Sequence, residues 1–354
     1  MNFRDLIDRL LRAGLPMLLL LLSGCHLAIH QYPETTASIP TLLTVHQEKS
    51  PLVLYKEVLY DDAWTRSERL LPSNPVTQYT PADSLAYRRR MEFYRGPVGQ
   101  EGELLGRQTD YFDISDRHAG DTVRLQLTPG TYHVLSWMDY VSLTDPADKA
   151  YDTHALTEVT SLVANYPADT NLRGASAGTL EFEVDGISGF DADLGAQLFD
   201  LPLDSPLGQY QLIPTDAEAY AKLGGRLEQV SVRIVYKMYV AVSYDVEIDE
   251  KTQFLLSYSF YLPSVRDAGV ADERQPLFGD NLFTNADGSE TVVICDLYLY
   301  DAGGKLINTC PDLRIPLCRH GRTLVRGPFL THKFNNSGGM SLDEMFEGEF
   351  VIKV

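Results

Sequence analysis

Ten apolar residues occupy every second position from Val230 to Ile248: Val230, Val232, Ile234, Tyr236, Met238, Val240, Val242, Tyr244, Val246 and Ile248. A period of two marks a strand with one buried face. At a rise of roughly 3.3 Å per residue an unbroken strand would run about 60 Å, so the pattern predicts a bend or bulge within it. Asp121 to Leu127 alternates in the same way, with Val123, Leu125 and Leu127 set against Thr122, Arg124 and Gln126. Pro129-Gly130 then supplies a turn and Tyr132 to Val141 continues apolar, which predicts a hairpin.

Shorter β-rich runs lie at Thr41–Val45, Leu52–Leu59, Leu180–Val184, Phe254–Leu262, Thr291–Tyr300, Lys305–Asn308, Thr323–Val325 and Phe346–Val354. Helical signals are scarce, the best being Thr215–Leu223 with Thr215 as its cap. Segment 61–95 reads as a charged loop with one helical turn, its Arg88-Arg89-Arg90 on a solvated face. Residues 165–178 (NYPADTNLRGASAG) are turn-formers throughout and predict a domain boundary. The expected fold is all-β, two sandwiches in series over 41–168 and 169–354.

A different pattern precedes the strands. Arg4, Arg9 and Arg12 form a basic start, Leu15 to Leu22 a short apolar core, and Ser23-Gly24 a small-residue exit before Cys25. About eight apolar residues cannot span a bilayer core that needs roughly twenty, so residues 1–24 read as a cleaved secretory signal. Leu22-Ser23-Gly24-Cys25 resembles the bacterial lipobox. That resemblance implies cleavage between Gly24 and Cys25 and acylation of Cys25, with residues 25–40 as a tether. The signal has three Arg against Asp5 and Asp8, a formal +1, so the body beyond it carries about −20 against −19 for the whole chain. Such a body argues against nucleic acid and against electrostatic adsorption to anionic lipid.

Catalytic constellations do not assemble. Gly174-Ala175-Ser176-Ala177-Gly178 matches the G-x-S-x-G of serine hydrolases, but no apolar strand leads into it and no helix follows, so a small-residue linker is the expectation. The eight histidines include no H-E-x-x-H, and no metal or other cofactor site is expected. Asp185, Asp191 and Asp193 lack the spacing of an EF-hand and read as acidic turns. Beyond Cys25 stand Cys295, Cys310 and Cys318. If Asp301 to Gly304 turn a hairpin that pairs Tyr300 with Lys305, Cys295 faces Cys310 across the ladder. A disulfide or two buried thiols would both fit that placement.

Residues 312–331, DLRIPLCRHGRTLVRGPFLT, resemble the late-strand signature of the fimbrillin-like and fimbrial-anchor lipoproteins of Bacteroidales (type V fimbriae). The likeness rests on Ile315-Pro316-Leu317, Arg319, Arg322-Thr323, Gly327 and Phe329-Leu330-Thr331, and on the ending Met345 to Val354. Leu127 to Tyr132 followed by Trp137 resembles a hairpin of their N-terminal domain. The resemblance implies two transthyretin-like β-sandwiches, export as an outer-membrane lipoprotein, and other fimbrial subunits as partners, joined by strand pairing at an edge. It also implies processing by an arginine-specific protease in stalk subunits, for which Arg66 and Arg69 are the first candidates after Cys25. The intact terminal strand and retained lipid favour an anchor or accessory subunit over a stalk subunit.

Val230–Ile248 and Phe346–Val354 are the candidate edges. A surface glycan- or ligand-binding adhesin, using Tyr258 to Tyr261 or Tyr298 to Tyr300, is the alternative. Residues 26–31 carry no acidic run, and they leave surface display and periplasmic residence both open.

Overall fold

The computed structural model describes residues 38–47, 52–76, 85–113, 121–142, 144, 147, 148, 150–162, 173–262 and 276–334. Gly24, Cys25, nearly all of the tether, and the run Phe346–Val354 lie outside the described residues. Within them the chain is all-β and forms two sandwiches.

In the first sandwich, one sheet takes the order Phe190–Asp191 (β11), Ala196–Leu203 (β12), Ile39–Gln47 (β1), Asp121–Leu127 (β6). The facing sheet takes the order Ala175–Val184 (β10), Gly130–Ser142 (β7), Leu85–Arg95 (β4), Glu103–Asp113 (β5). Leu43, Met91, Val123, Val134, Phe182 and Leu201 fill the space between them.

The second sandwich sets a five-stranded sheet against a four-stranded one. The five run Phe278–Phe283 (β18), Leu207–Pro214 (β13), Gly321–Gly327 (β21), Val53–Tyr60 (β2), Arg66–Leu70 (β3). The four run Phe254–Leu262 (β17), Ser231–Ala241 (β14), Thr291–Tyr300 (β19), Leu306–Leu317 (β20). Their core holds Val58, Tyr210, Ile234, Leu297, Ile315 and Val325.

This membership corrects the linear division at 168/169. β2 and β3 join the second sandwich, whereas everything from β10 to β12 belongs to the first. Alternation tells which face of a strand is buried but not which sheet the strand enters, and sheet membership is decided by partners far away in sequence.

The predicted hairpin at 121–141 fails for the same reason. β6 pairs only with β1, while β7 pairs with β4 and β10 in the opposite sheet, so the Thr128–Gly130 turn arches over the core. Gly174 to Gly178 is not a linker either. From Ala175 onward it is strand, with Ser176 buried opposite Met138. Small residues are needed there because β12 crosses tightly: a Cβ on Gly178 would lie 2.3 Å from the Pro202 carbonyl oxygen.

β1 and β12 run parallel from Thr41 opposite Gln197 to Gln47 opposite Leu203. β2 and β13 both run parallel to β21, which lies between them, and carry the same direction on through the second sandwich. Ile39 therefore marks a proximal end, and Tyr60 with Pro214 a distal one.

A small sheet sits at the junction, in the order Glu250–Lys251 (β16), Ser243–Asp245 (β15), Val159–Ser161 (β9), Tyr151–Asp152 (β8). Its centre is Trp137, fully buried and edge-on to Tyr151 at 5.1 Å, with Tyr244 and Phe283 each at 6.4 Å. Arg173, just before β10, reaches Asp280 on β18 at 3.5 Å, and both side chains are buried. Asp280 also accepts the Tyr236 hydroxyl at 2.5 Å and its neighbour Asn281 N–H at 2.8 Å.

Arg88 to Arg90 do not form a solvated face. They lie in β4, where Arg88 is fully buried and forked onto Asp139, with Nε at 2.9 Å and Nη2 at 2.6 Å. Asp148 takes its remaining nitrogen, and Arg89 pairs with Asp110 at 2.7 Å. The acids stand directly across the ladder, Asp139 opposite Arg88 and Asp110 opposite Arg89.

The predicted helix is shorter than expected, Ala217–Lys222 (α1), and follows Asp216 rather than Thr215. The Asp216 carboxylate turns away from α1 to accept N–H groups of Leu330 and Thr331 and the Thr331 hydroxyl.

Cys295 stands opposite Leu313 and Cys310 opposite Leu297, because two register shifts interrupt the β19–β20 ladder. The expected facing pair is thus broken. Both cysteines are buried free thiols whose titration burial pushes upward.

Three outcomes are expected. Gly178→Val, which drives a branched side chain into a backbone carbonyl, lowers stability by about 3 kcal/mol in chemical denaturation. Arg88→Ala strands two carboxylates and costs about 3–5 kcal/mol, whereas Arg88→Met combined with Asp139→Leu recovers most of that loss. Under native conditions a maleimide labels Cys318 while sparing Cys295 and Cys310, and all three react in denaturant. Rapid native labelling of Cys295 would contradict the described packing.

Candidate functional site

No helix among the described residues is long and apolar enough to cross a membrane. Likewise, no group of three His, Cys, Asp or Glu among them is disposed to hold a metal. Asp185 and Asp191 instead accept backbone N–H groups of their own turns, from Ile187 and Ser188 and from Asp193 and Leu194. What the fold does offer chemically is main-chain hydrogen bonding at sheet edges, and these edges differ.

Most edges carry the usual protection against unwanted pairing. β3 reads Arg66-Ser67-Glu68-Arg69-Leu70, nearly all charged. β5 bears Glu103, Arg107 and Asp110. β20 is blocked by side chains from the facing sheet: its Arg314 N–H donates to the Tyr60 hydroxyl at 3.0 Å, and Arg66 donates to the Arg314 carbonyl at 3.4 Å. β18 turns Asp280 inward, and β10 carries Glu181 and Glu183 and is bridged at Ala177 by Asp204.

β17 is the exception. Its sequence, FLLSYSFYL, holds no charge, no proline and no glycine over nine residues. Among the described residues it is paired on one side only, with β14.

The residues that make this edge unusual come from β14. The predicted interruption of the period-two run is there: after Lys237 pairs Ser257, the ladder resumes with Val240 opposite Leu255. Met238 and Tyr239 sit between, both in the left-handed region, φ 61° and 59°. For bulky residues this backbone costs on the order of 1–3 kcal/mol each. Met238 and Tyr239 together stand opposite the single Leu256, one residue more than the partner strand. Val232, Ile234 and Tyr236 before the bulge and Val240 and Val242 after it are all buried. Met238 and Tyr239 are expelled, 64% and 69% exposed.

Opposite them Leu256 is 66% exposed, and Phe254 and Leu255 complete an apolar strip along the open edge. Lys237, on its border, is committed to Asp296 at 2.6 Å and Asp312 at 3.3 Å. Burial opposes its charge, but these two carboxylates hold the Lys237 ammonium above its usual value.

The expected candidates fare unequally. Val230–Ile248 is not an edge: β14 lies between β17 and β19, and the run beyond Ala241 enters the junction sheet. Its regular alternation could not separate a central strand from an edge strand. The absence of any charge in 254–262 was the readable signal for the true edge. Arg66 and Arg69 both lie in paired strand β3, Arg66 bonded to Glu68 at 3.0 Å and Arg69 to Glu57 at 2.6 Å. Of the aromatics, Tyr258 is buried, while Tyr261 is half-exposed, its ring 6.1 Å from that of Tyr300.

A search of curated proteins finds no match to the chain. Among solved structures, the chain is similar to the fimbrial anchor protein Mfa2 from Porphyromonas gingivalis, at 11% identity and TM-score 0.35, covering 77% of this chain and 82% of that one. It is similar to a fimbrial assembly protein from Parabacteroides distasonis at 9% identity and TM-score 0.36, covering 82% and 90%. A Bacteroides thetaiotaomicron protein provisionally assigned to polysaccharide binding gives 11% identity and TM-score 0.42, covering 77% and 80%. The family of unknown function DUF6562 matches over residues 56–354, and the chain belongs to that family.

Proposed function

We propose that the protein is a non-enzymatic, lipid-anchored outer-membrane component, a fimbrial anchor or accessory subunit that receives a neighbouring subunit by strand addition at β17. The observation that carries this reading is the uncharged, apolar edge beside the Met238–Tyr239 bulge. An unpaired strand offers a row of main-chain donors and acceptors, and alternate side-chain contacts add selectivity. An edge left without charge is an aggregation hazard unless something covers it. The bulge presents two large side chains at an energetic cost, which suits a surface that is covered in use.

Acylation at Cys25 supplies the anchor, and the lipobox-like run Leu22 to Cys25 is its support. The placement of Arg66 and Arg69 favours an uncleaved anchor over a processed stalk subunit. A protease needs its substrate extended and accessible, and here both arginines are held in a strand paired to β2. The alternative, a glycan-binding adhesin, rests on Tyr261 and Tyr300, with Tyr258 removed from consideration by burial.

Leu256→Lys together with Met238→Lys places two charges on the edge at exposed positions, where stability changes stay within about 0.5 kcal/mol. Recovery of a co-purifying fimbrial subunit under mild extraction is expected to fall at least about tenfold, the equivalent of 1.4 kcal/mol. Undiminished recovery from the double variant would sink β17 as the docking edge.

A further inference from the structure

A second apolar surface lies at the proximal end, unrelated to the β17 edge. Because β1 and β12 are parallel, Ile39 and Ala196 start together at this end. β6 finishes there, Leu127 opposite Ile39, and β10 finishes there, Val184 opposite Gly130. Three turns, at 128–130, 185–189 and 192–195, therefore gather where the chain comes in. Ile39 packs directly on Gly186, whose positive φ of 73° opens the 185–189 turn.

These turns display apolar side chains outward. Ile187 is 82% exposed and Leu194 is 58% exposed, with Phe190 and Leu198 behind them at 44% and 38%. Their placement is held by the turns' own polar groups. Asp185 accepts the Ile187 and Ser188 N–H groups at 2.7 and 2.8 Å, and Asp191 accepts the Asp193 and Leu194 N–H groups at 2.9 Å. Gln197 accepts Asp185 and Gly186 N–H at 3.3 and 3.2 Å and donates to the Glu183 carbonyl at 3.0 Å. Local donors hold the Asp185 carboxyl down to about 2, the Ser188 hydroxyl first and the two backbone N–H groups after it. The carboxylates thus fold back on their own backbone while Ile187 and Leu194 point away.

We infer that this end seats against a lipid surface, with Ile187 and Leu194 entering the boundary between headgroups and acyl chains. The inference rests on the reading of Cys25 as an acylated anchor. Residues 26–38 separate Cys25 from Ile39 and span at most about 45 Å when fully extended. A bilayer that holds Cys25 is therefore kept within that reach of the proximal end, the part of the body nearest the anchor along the chain. The acyl chains on Cys25 hold the protein at the membrane, and an apolar contact from the body adds buried area to that hold. Asp185, Asp191 and Asp193 around the two side chains select a zwitterionic surface over an anionic one.

The test uses the full-length acylated protein in phosphatidylcholine vesicles containing doxyl-labelled lipid. Tryptophan is placed in turn by Ile187→Trp, Leu194→Trp and, at the distal side of the molecule just after α1, Leu223→Trp, a position 79% exposed. The two native tryptophans, Trp137 buried and Trp64 half-buried beside the distal end of β2, are common to all three and set the background. The expected result is a blue shift and strong quenching at 187 and 194 but not at 223. In the same vesicles, Ile187→Asn combined with Leu194→Asn speeds desorption about a hundredfold, roughly tenfold for each aliphatic side chain returned to water.

If the protein floats with the vesicles but 187 and 194 are quenched no more than 223, the lipid contact is overturned while the anchor stands. If the acylated protein does not float at all, the anchor reading fails and this proposal falls with it.

Discussion

The parallel pairing of β1 with β12 is the constraint from which the rest of the architecture follows. It fixes the direction of the chain through the first sandwich, and β2 and β13 take that direction on through the second, separated by β21. Two segments that begin far apart in sequence thereby run in the same direction, neighbours in the first sandwich and on either side of β21 in the second. The junction cannot then be a simple hinge, because two chain paths, the small sheet and the Trp137 cluster all span it. The Arg173–Asp280 pair adds a buried charge contact between the sandwiches, and Asp204 meets His320 at 2.7 Å at the same level.

Buried charge also shapes the first sandwich. Arg88, Asp139 and Asp148 are expensive to desolvate, and apolar residues of similar volume would give comparable stability. What such a group supplies is registry. With Asp139 directly opposite Arg88 and Asp110 opposite Arg89, a slip of one residue in either ladder of β4 would leave buried charges unpaired. β4 takes part in two of the three ladders of that sheet, so its arginines act as locating pins.

The legible and illegible parts of this fold divide along a physical line. Local features were readable: the all-β class, the strand cores, and the break within Val230–Ile248 that Met238 and Tyr239 turn out to make. Features set by distant partners were not. Arg88 to Arg90 look solvated until Asp139 and Asp110 arrive from other strands. Gly178 looks like a linker residue until Pro202 crosses it. The cysteine pairing assumed an unbroken ladder, and two irregularities, one of them between Cys295 and Leu297, shifted it. The candidate edge was half-legible, since the lack of charge in 254–262 stands in the sequence but its position at the open side of a sheet does not.

The shared direction of β1 and β12 has a mechanical meaning. A pull on Ile39 through the proximal end, opposed at the distal end, acts along the strand axes and across the inter-strand hydrogen bonds. The β1–β12 ladder is then loaded in shear, and its seven register pairs, Thr41 to Gln47 against Gln197 to Leu203, bear the tension together. A hairpin pulled from its open end would instead unzip one pair at a time. Strands laid end to end in this way make the body a tensile element, strongest along the line joining its proximal end to its far pole.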